Sequence, residues 1–330
     1  MTSKCIDVYK NLSIQVVNDS VCIAPCCVYQ QDIQTTSDII NFIDDDTLSA
    51  VRKHWDSGNI PQGCLICKHE ESIGNSSRRI GSNHWYRDNG YDNTDIELVR
   101  LDYWVGDVCN LRCVICKPSF SSAWKEELKI PIVERRQTVN HAWKDLDLSK
   151  LRYIHFNGGE PLLSKEHMEF LKAIPDKSQV HIVYDTNGTI LPSEKLQDLW
   201  TEFKLVHLGF SIDDLNERFE YQRYPAKWNN TVENLHWFID NCSANCMFSI
   251  NTTISWLNQS NMINIDRWVN ENFNTSRVND PIKHQKLSAV GIFAIDNIDS
   301  VSIINFLNSC DQRRGTDWRK IFPELADKLL

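Results

Sequence analysis

The sequence predicts an α/β fold in which parallel strands linked by crossover helices are preceded by a small cysteine-rich domain. Two observations predict it. From Glu97 onward, short apolar strand-like runs alternate with amphipathic helical stretches, the pattern of a parallel sheet. Before Glu97, six of the twelve cysteines fall within the first 67 residues, on hairpin ends and turns rather than on an apolar stripe. The expected organisation is a cysteine-rich domain over residues 1–96, an α/β core over 97–255, and a completing segment with closing helices over 256–330.

Composition narrows the class. A chain of 330 residues with 42% apolar and 24% charged residues is ordinary for a globular protein with a substantial core. Its formal charge of -9 argues against binding of long nucleic acid as the main activity, which needs a basic surface. No apolar run approaches bilayer length, and the first ten residues carry no signal-peptide core. A cytoplasmic location with no membrane partner is therefore expected. Thiols there stay reduced, so twelve cysteines point to metal or redox chemistry more than to disulfides.

The cysteine-rich block opens with Cys5 and an alternating run over 12–23, broken by Asn18-Asp19, which reads as a hairpin. Its second arm carries Cys22 and ends in Pro25-Cys26-Cys27. A helix follows over 44–55, with Leu48, Val51 and Trp55 at helical spacing. Cys64-Leu-Ile-Cys67 is a close pair of the kind that clamps a metal. From the residues alone the block is a metal-bound minidomain, zinc or iron–sulfur. The polar segment that follows, with Arg78 and Arg79, reads either as a solvated linker or as a bridge whose arginines reach a ligand. Residues 88–96 are turn-rich and mark the expected boundary.

In the α/β core, strands are expected at 98–105, 153–156, 180–184, 205–212 and 247–254. Helical stretches lie at 165–174, 194–203 and 228–241. Ligands collect at the C-terminal ends of parallel strands, and the chemically distinctive residues fall there. After the first strand comes Cys109-Asn-Leu-Arg-Cys113-Val-Ile-Cys116. Three thiolates on one loop can hold three irons of a cubane cluster and leave the fourth open, since such a cluster ordinarily takes four cysteines. A structural zinc site, or part of a four-cysteine ferredoxin cluster, are the plainer readings. After the second strand comes Asn157-Gly158-Gly159-Glu160-Pro161, where glycines let backbone approach a ligand and a carboxylate can meet an ammonium. Asp185-Thr-Asn187-Gly188 follows the third strand. Ser211-Ile-Asp213 follows the fourth, a hydroxyl and a carboxylate that suit a ribose diol. Asn251, Thr252 and Asn258 are polar candidates near the fifth. Further on, helix is expected near 261–273, strand over 287–295, and closing helices over 299–307 and 318–330. Cys242, Cys246 and Cys310 read as small core residues.

Taken together, these motifs resemble the radical S-adenosylmethionine (radical SAM) enzymes over residues 98–255. The resemblance implies a partial (β/α)6 TIM-like barrel. It also implies a 4Fe–4S cluster on Cys109, Cys113 and Cys116, whose open iron chelates S-adenosylmethionine. Carried over residue by residue, Gly158, Gly159 and Glu160 contact the methionine part, while Ser211 and Asp213 contact the ribose. Asn187 lies near the cofactor or substrate. The segment Tyr221-Gln-Arg223-Tyr-Pro-Ala-Lys-Trp228 is similar to one in peptide-modifying members; Arg223 reads there as a cofactor-site residue pairing a carboxylate or as a surface arginine. The cysteine-rich block looks like the auxiliary-cluster module called twitch or SPASM, although that module usually follows the barrel and here precedes it. It would place a second iron–sulfur cluster on Cys5, Cys26, Cys64 and Cys67, with Cys22 and Cys27 as competing ligands.

The implied chemistry is reductive cleavage of S-adenosylmethionine to a 5′-deoxyadenosyl radical, which abstracts hydrogen from a substrate. It needs a one-electron donor such as flavodoxin or ferredoxin. A peptide or protein is the expected substrate. A nucleotide, sugar or other small molecule is the alternative, and a catalytically inactive metal-binding interaction protein is a third reading.

Overall fold

A computed structural model of the chain describes residues 4–17, 20–30, 42–43, 45–131, 143–273, 277–286, 293 and 299–329. Its strands are β1 (Asn11–Val17), β2 (Ser20–Ala24), β3 (Arg100–Trp104), β4 (Tyr153–Asn157), β5 (His181–Thr186), β6 (Leu205–Ser211), β7 (Cys246–Ile254) and β8 (Val278–Lys286). They follow the order β2-β1-β3-β4-β5-β6-β7-β8. Helices at Glu166–Ala173, Glu194–Trp200 and Trp228–Asn241 lie where amphipathic spacing puts them. The fold is α/β, of the partial TIM-like type. The strand expected over 287–295 falls outside the described residues except for Phe293, whereas β8 lies just before it in a polar run that gives no strand signal. Among the described residues no helix is long and apolar enough to cross a membrane.

Packing divides the chain into two units. The first comprises Met1–Asp107, Val133–Val183 and Glu202–Lys204. Here the expected hairpin forms, β1 against β2, but β1 also pairs in parallel with β3, with Asn11 opposite Arg100 and Ile14 opposite Tyr103. The cysteine-rich block and the first strands of the α/β core thus share a sheet within one unit, with no division near residue 96. Alternation explains it: Leu12 and Ile14 are fully buried, so β1 presents an apolar face like its neighbour's. Helix Asp46–Asp56 starts at Asp45, whose carboxylate accepts from the Thr47 and Leu48 N–H groups, and buries Leu48, Val51 and Trp55. The segment with Arg78 is no linker. It begins a helix, Arg78–Asp88, capped by the Ser77 hydroxyl.

Also in this unit, helix Glu166–Ala173 buries His167, Phe170 and Leu171. Phe170 meets Tyr103 and Phe156 edge-on, at 5.2 and 6.1 Å between centroids. The turn after β4 passes very close to the end of β3. Gly158 has φ of +119°, and a Cβ there would lie 2.5 Å from the Gly106 carbonyl oxygen, which accepts from the Gly159 N–H at 2.7 Å. Only glycine fits this crossing.

The second unit comprises Val108–Ile132, Tyr184–Thr201 and Leu205–Leu330. In it β6, β7 and β8 pair in parallel, with Ser211 opposite Asn251. Its closing helices include Ser300–Arg314 and Trp318–Ile321. They pack Ile303, Leu307, Trp318 and Phe322 with Val114, Tyr221 and Leu257 in one apolar cluster. The Tyr221 hydroxyl donates to Asp311 at 3.0 Å. Cys242, Cys246 and Cys310 are buried, as expected of small core residues.

Two outcomes follow. Gly158→Ala should lower the thermal midpoint by about 5 °C through left-handed strain and collision with Gly106, read by differential scanning calorimetry. His167 is buried and holds the Ser164 carbonyl at 2.7 Å through Nδ1, and burial pushes it from 6.5 down to about 4. The folded chain keeps this ring neutral while the unfolded chain protonates it below 6.5. Its contribution is therefore intact above pH 6.5 and is lost as pH falls to 4, about 3 kcal/mol at 1.4 kcal/mol per pH unit. Urea unfolding across that window should show a shallower pH slope in His167→Asn than in the parent chain.

Candidate functional site

In the second unit the three-cysteine loop is built on two apolar anchors. Leu111 and Val114 are buried, while Cys109, Cys113 and Cys116 are half-buried. The backbone is held at several points. The Ser121 hydroxyl caps the helix Ser122–Glu127 and donates to the Leu111 carbonyl at 2.5 Å. The Trp124 indole Nε1–H donates to the Cys113 carbonyl at 2.9 Å, and the Cys109 N–H donates to Ser122 Oγ at 3.1 Å. Two further bonds tie the loop to a distant segment: the Arg112 N–H donates to the Tyr224 carbonyl at 2.8 Å, and the Val114 N–H to the Gln222 carbonyl at 2.7 Å. One donor already faces sulfur, the Leu111 N–H at 3.4 Å from Cys109 Sγ.

Electrostatics at this loop are divided. Burial raises the Cys113 thiol, while the Arg223 and Arg314 guanidinium groups pull it back. Cys116 is pushed up to about 12, by burial first and then by the neighbouring Cys113 and Cys109 sulfurs. Arg314 stacks on Trp124 and Tyr224, at 4.6 and 4.8 Å from the ring centroids, and bonds the Glu127 carboxylate and the Arg112 carbonyl.

The other candidates of this unit are engaged with the chain itself. Asn187 donates from Nδ2 to Asn110 Oδ1 at 3.0 Å, and the Asn110 amide donates to Thr189 Oγ1 at 2.8 Å, so the turn after β5 braces the cysteine loop. Ser211 ends β6, half-buried. Asp213 is fully buried; Oδ1 accepts from the Thr253 N–H at 2.9 Å and Oδ2 lies 2.7 Å from Arg223 Nη2. The carboxylate expected opposite Arg223 is thus Asp213. These two residues, both expected on the cofactor, form an ion pair with each other. Asn258 is also internal, donating to the Asp213 and Thr253 carbonyls. Thr252 donates to the Ile212 carbonyl, and Asn251 to Asp185. Asn110, Trp124 and Arg314 were not singled out from the sequence; the position of Asn110 inside the cysteine loop was the available signal.

In the first unit, Gly158 and Gly159 make the crossing already described. Glu160 is buried, and its Oε1 caps a short turn by accepting from the Leu162 N–H at 3.1 Å. Of the six N-terminal cysteines, Cys5, Cys26, Cys64 and Cys67 line one cavity together with Trp55 and Arg78. The turn leading into the Cys64–Cys67 pair reaches the segment after the second arm through the Gln30 N–H, which donates to the Gly63 carbonyl at 2.9 Å. There a Cβ on Gly63 would strike the Tyr29 ring. Burial raises all four thiols, Cys64 to about 11.

Cys22 and Cys27 are not among the lining residues. Cys27 instead accepts from Arg78 Nη1 at 3.3 Å. Arg78 also meets two buried carboxylates, Asp102 at 2.9 Å and Asp7 at 3.2 Å. Burial works against the Asp102 charge, yet Arg78 and His155 hold the carboxyl well below the usual range.

Both sets gather thiols, but their charge differs: Arg223 and Arg314 act on Cys113, whereas at the N-terminal set the Asp7 carboxylate opposes all four thiolates and Arg78 offsets it at Cys26. Among the described residues no three His, Cys, Asp or Glu side chains converge to hold a single metal ion. In a cubane each thiolate takes a separate iron, so convergence on one point is not required.

Residues 104–258 match the family model described as the radical SAM superfamily. Among curated proteins, the GTP 3′,8-cyclase of Alkaliphilus oremlandii is 30% identical over 126 residues, 37% of this chain and 38% of the relative. That of Desulforamulus reducens is 32% identical over 124 residues, 38% of this chain and 36% of the relative. The chain thus spans little more than a third of the length of these relatives. Among solved structures, native anSMEcpe with bound AdoMet aligns with a TM-score of 0.42 and 17% identity, over 57% of this chain and 51% of that one. Streptococcus suis SuiB bound to S-adenosylmethionine aligns with a TM-score of 0.39 and 11% identity, over 93% and 69%. The family match runs from the last residue of β3 to Asn258 and takes in the three-cysteine loop, the Gly158-Gly159-Glu160 turn, Asn187, Ser211, Asp213 and Arg223; over residues 104–258 the chain is similar to the radical SAM superfamily.

Proposed function

We propose that this chain is a radical SAM enzyme whose cluster is held by Cys109, Cys113 and Cys116. The observation that carries the reading is the built loop: three half-buried thiols on a backbone held by Ser121, Trp124 and the 222–224 segment. When bound, the cluster and S-adenosylmethionine supply one-electron cleavage of the sulfonium and a radical that abstracts hydrogen. The chain supplies placement and shelter from side reactions. Leu111 and Val114 keep the loop seated, and Asn110 with Asn187 fixes its flank. The Gly158-Gly159 backbone and Glu160 are assigned to the methionine ammonium, and Ser211 to the ribose. A one-electron donor of the flavodoxin or ferredoxin kind is required.

The second cluster is assigned to Cys5, Cys26, Cys64 and Cys67. Four protein thiolates close such a cluster, so its role is electron transfer or structure rather than substrate binding. For the substrate we favour a peptide or protein side chain, because this four-thiol block resembles the auxiliary module of enzymes that modify peptides. A nucleotide is the second reading, favoured by the curated relatives named GTP 3′,8-cyclase.

Anaerobic reconstitution with iron and sulfide should give about eight irons per chain, and 5′-deoxyadenosine should appear with S-adenosylmethionine and dithionite. Cys113→Ala should reduce that product to background. Cys64→Ala with Cys67→Ala should remove about four irons and leave S-adenosylmethionine cleavage measurable. Product with about four irons in the parent chain would reassign the N-terminal site to zinc. Bound zinc with no product would instead make the chain a metal-binding interaction protein. With GTP added, a new nucleotide product by mass spectrometry would displace the peptide reading.

A further inference from the structure

We propose that the buried Arg223–Asp213 pair is a positioning device that sets the reduction potential of the cluster through Cys113. The inference rests on the cluster assignment just made and extends it to two residues that hold no iron. Its geometric basis is the pairing of two separated segments. The Arg112 N–H bonds the Tyr224 carbonyl and the Val114 N–H bonds the Gln222 carbonyl, at 2.8 and 2.7 Å. These rungs run antiparallel and flank one residue on each side, which sets Arg223 directly opposite Cys113.

The guanidinium at that position is fixed. Arg223 is only 8% exposed, and its Nη2 lies 2.7 Å from Oδ2 of Asp213, which has no exposure at all. Asp213 is held in turn by the Thr253 N–H at 2.9 Å, and its carbonyl by the Asn258 amide at 2.6 Å. An ion pair taken out of water is a weak stability device, because desolvation offsets most of the attraction. What the pair does supply is a permanent cation beside one cluster ligand, trimmed by an anion one bond further away. Arginine keeps that charge at any working pH.

The consequence concerns electron uptake. Reduction adds one negative charge to a cluster already bearing thiolates, and nearby charge and exposure tune how readily that happens. A cation opposite Cys113 favours the reduced state, and the Asp213 carboxylate holds that effect back. Arg314, fixed by Glu127 and its aromatic neighbours, forms a constant background.

The test is a redox titration of the reconstituted full chain, followed by electron paramagnetic resonance on the signal that changes when S-adenosylmethionine is added. Arg223→Gln should lower the reduction equilibrium constant at least tenfold, about 59 mV for one electron. Asp213→Asn should raise it by a similar factor, Arg223→Lys should stay within threefold of the parent, and the Arg223→Gln, Asp213→Asn double variant should return towards it. Opposite signs in the two single variants are the signature, since mere loosening of the loop would move both the same way. Coincident midpoints at equal iron content, or shifts of the same sign, overturn the proposal and leave the cluster assignment standing. If Arg223→Gln takes up no iron, the sign of the Asp213→Asn shift decides alone. A parent chain with no iron at this loop overturns the cluster assignment and this inference with it.

Discussion

Thiols gathered on one short loop repel one another once ionised, and holding them in place is the constraint that much of the second unit answers. Cys116 shows the problem, since burial and the two neighbouring sulfurs both disfavour its thiolate. The chain meets it with apolar anchors at Leu111 and Val114, a capping serine, an indole and two backbone rungs to residues 222–224. Those rungs are themselves held, because Tyr221 and Val114 share an apolar cluster with Ile303, Leu307 and Trp318 of the closing helices. The C-terminal helices therefore belong to the same mechanical unit as the loop. Each bond is modest alone; together they fix a backbone that would otherwise be free to splay.

The first unit solves a similar problem with different parts. Cys5 precedes the hairpin, Cys26 ends its second arm, and the Cys64–Cys67 pair is brought up by a glycine under the Tyr29 ring. Burial penalises each thiolate. Arg78 sits in the cavity wall, held by Asp7 and Asp102. A bound cation would reverse the pKa logic of such thiols. Because β1 lies in the same sheet as β3, this cysteine site is part of the sheet that begins the α/β core rather than an appendage to it.

Much of this was legible in the residues. Helix 46–56 follows from the spacing of Leu48, Val51 and Trp55, and β3 to β7 follow from strand-like runs between amphipathic stretches. The spacing of Cys109, Cys113 and Cys116 marked that loop as a candidate metal-ligating site. Other readings were local and incomplete. Asp213 read as a ribose ligand and Arg223 as a partner for a carboxylate or a surface arginine; the two are buried and form an ion pair with each other. Arg78 read equally well as solvated linker, and its pairing with two aspartates depends on residues more than 20 positions away.

By itself the sequence determined which side chains could do chemistry and the order in which strands and helices present them. Periodicity and ligand spacing are properties of neighbouring residues, and they survive being read along a line. The tertiary structure alone decided which of six N-terminal cysteines share a cavity, that β1 joins β3, and that Arg223 faces Cys113. Those outcomes are set by pairing register and by competition among buried charges for partners. Both are decided by groups far apart in the chain, and only packing brings them within reach of one another.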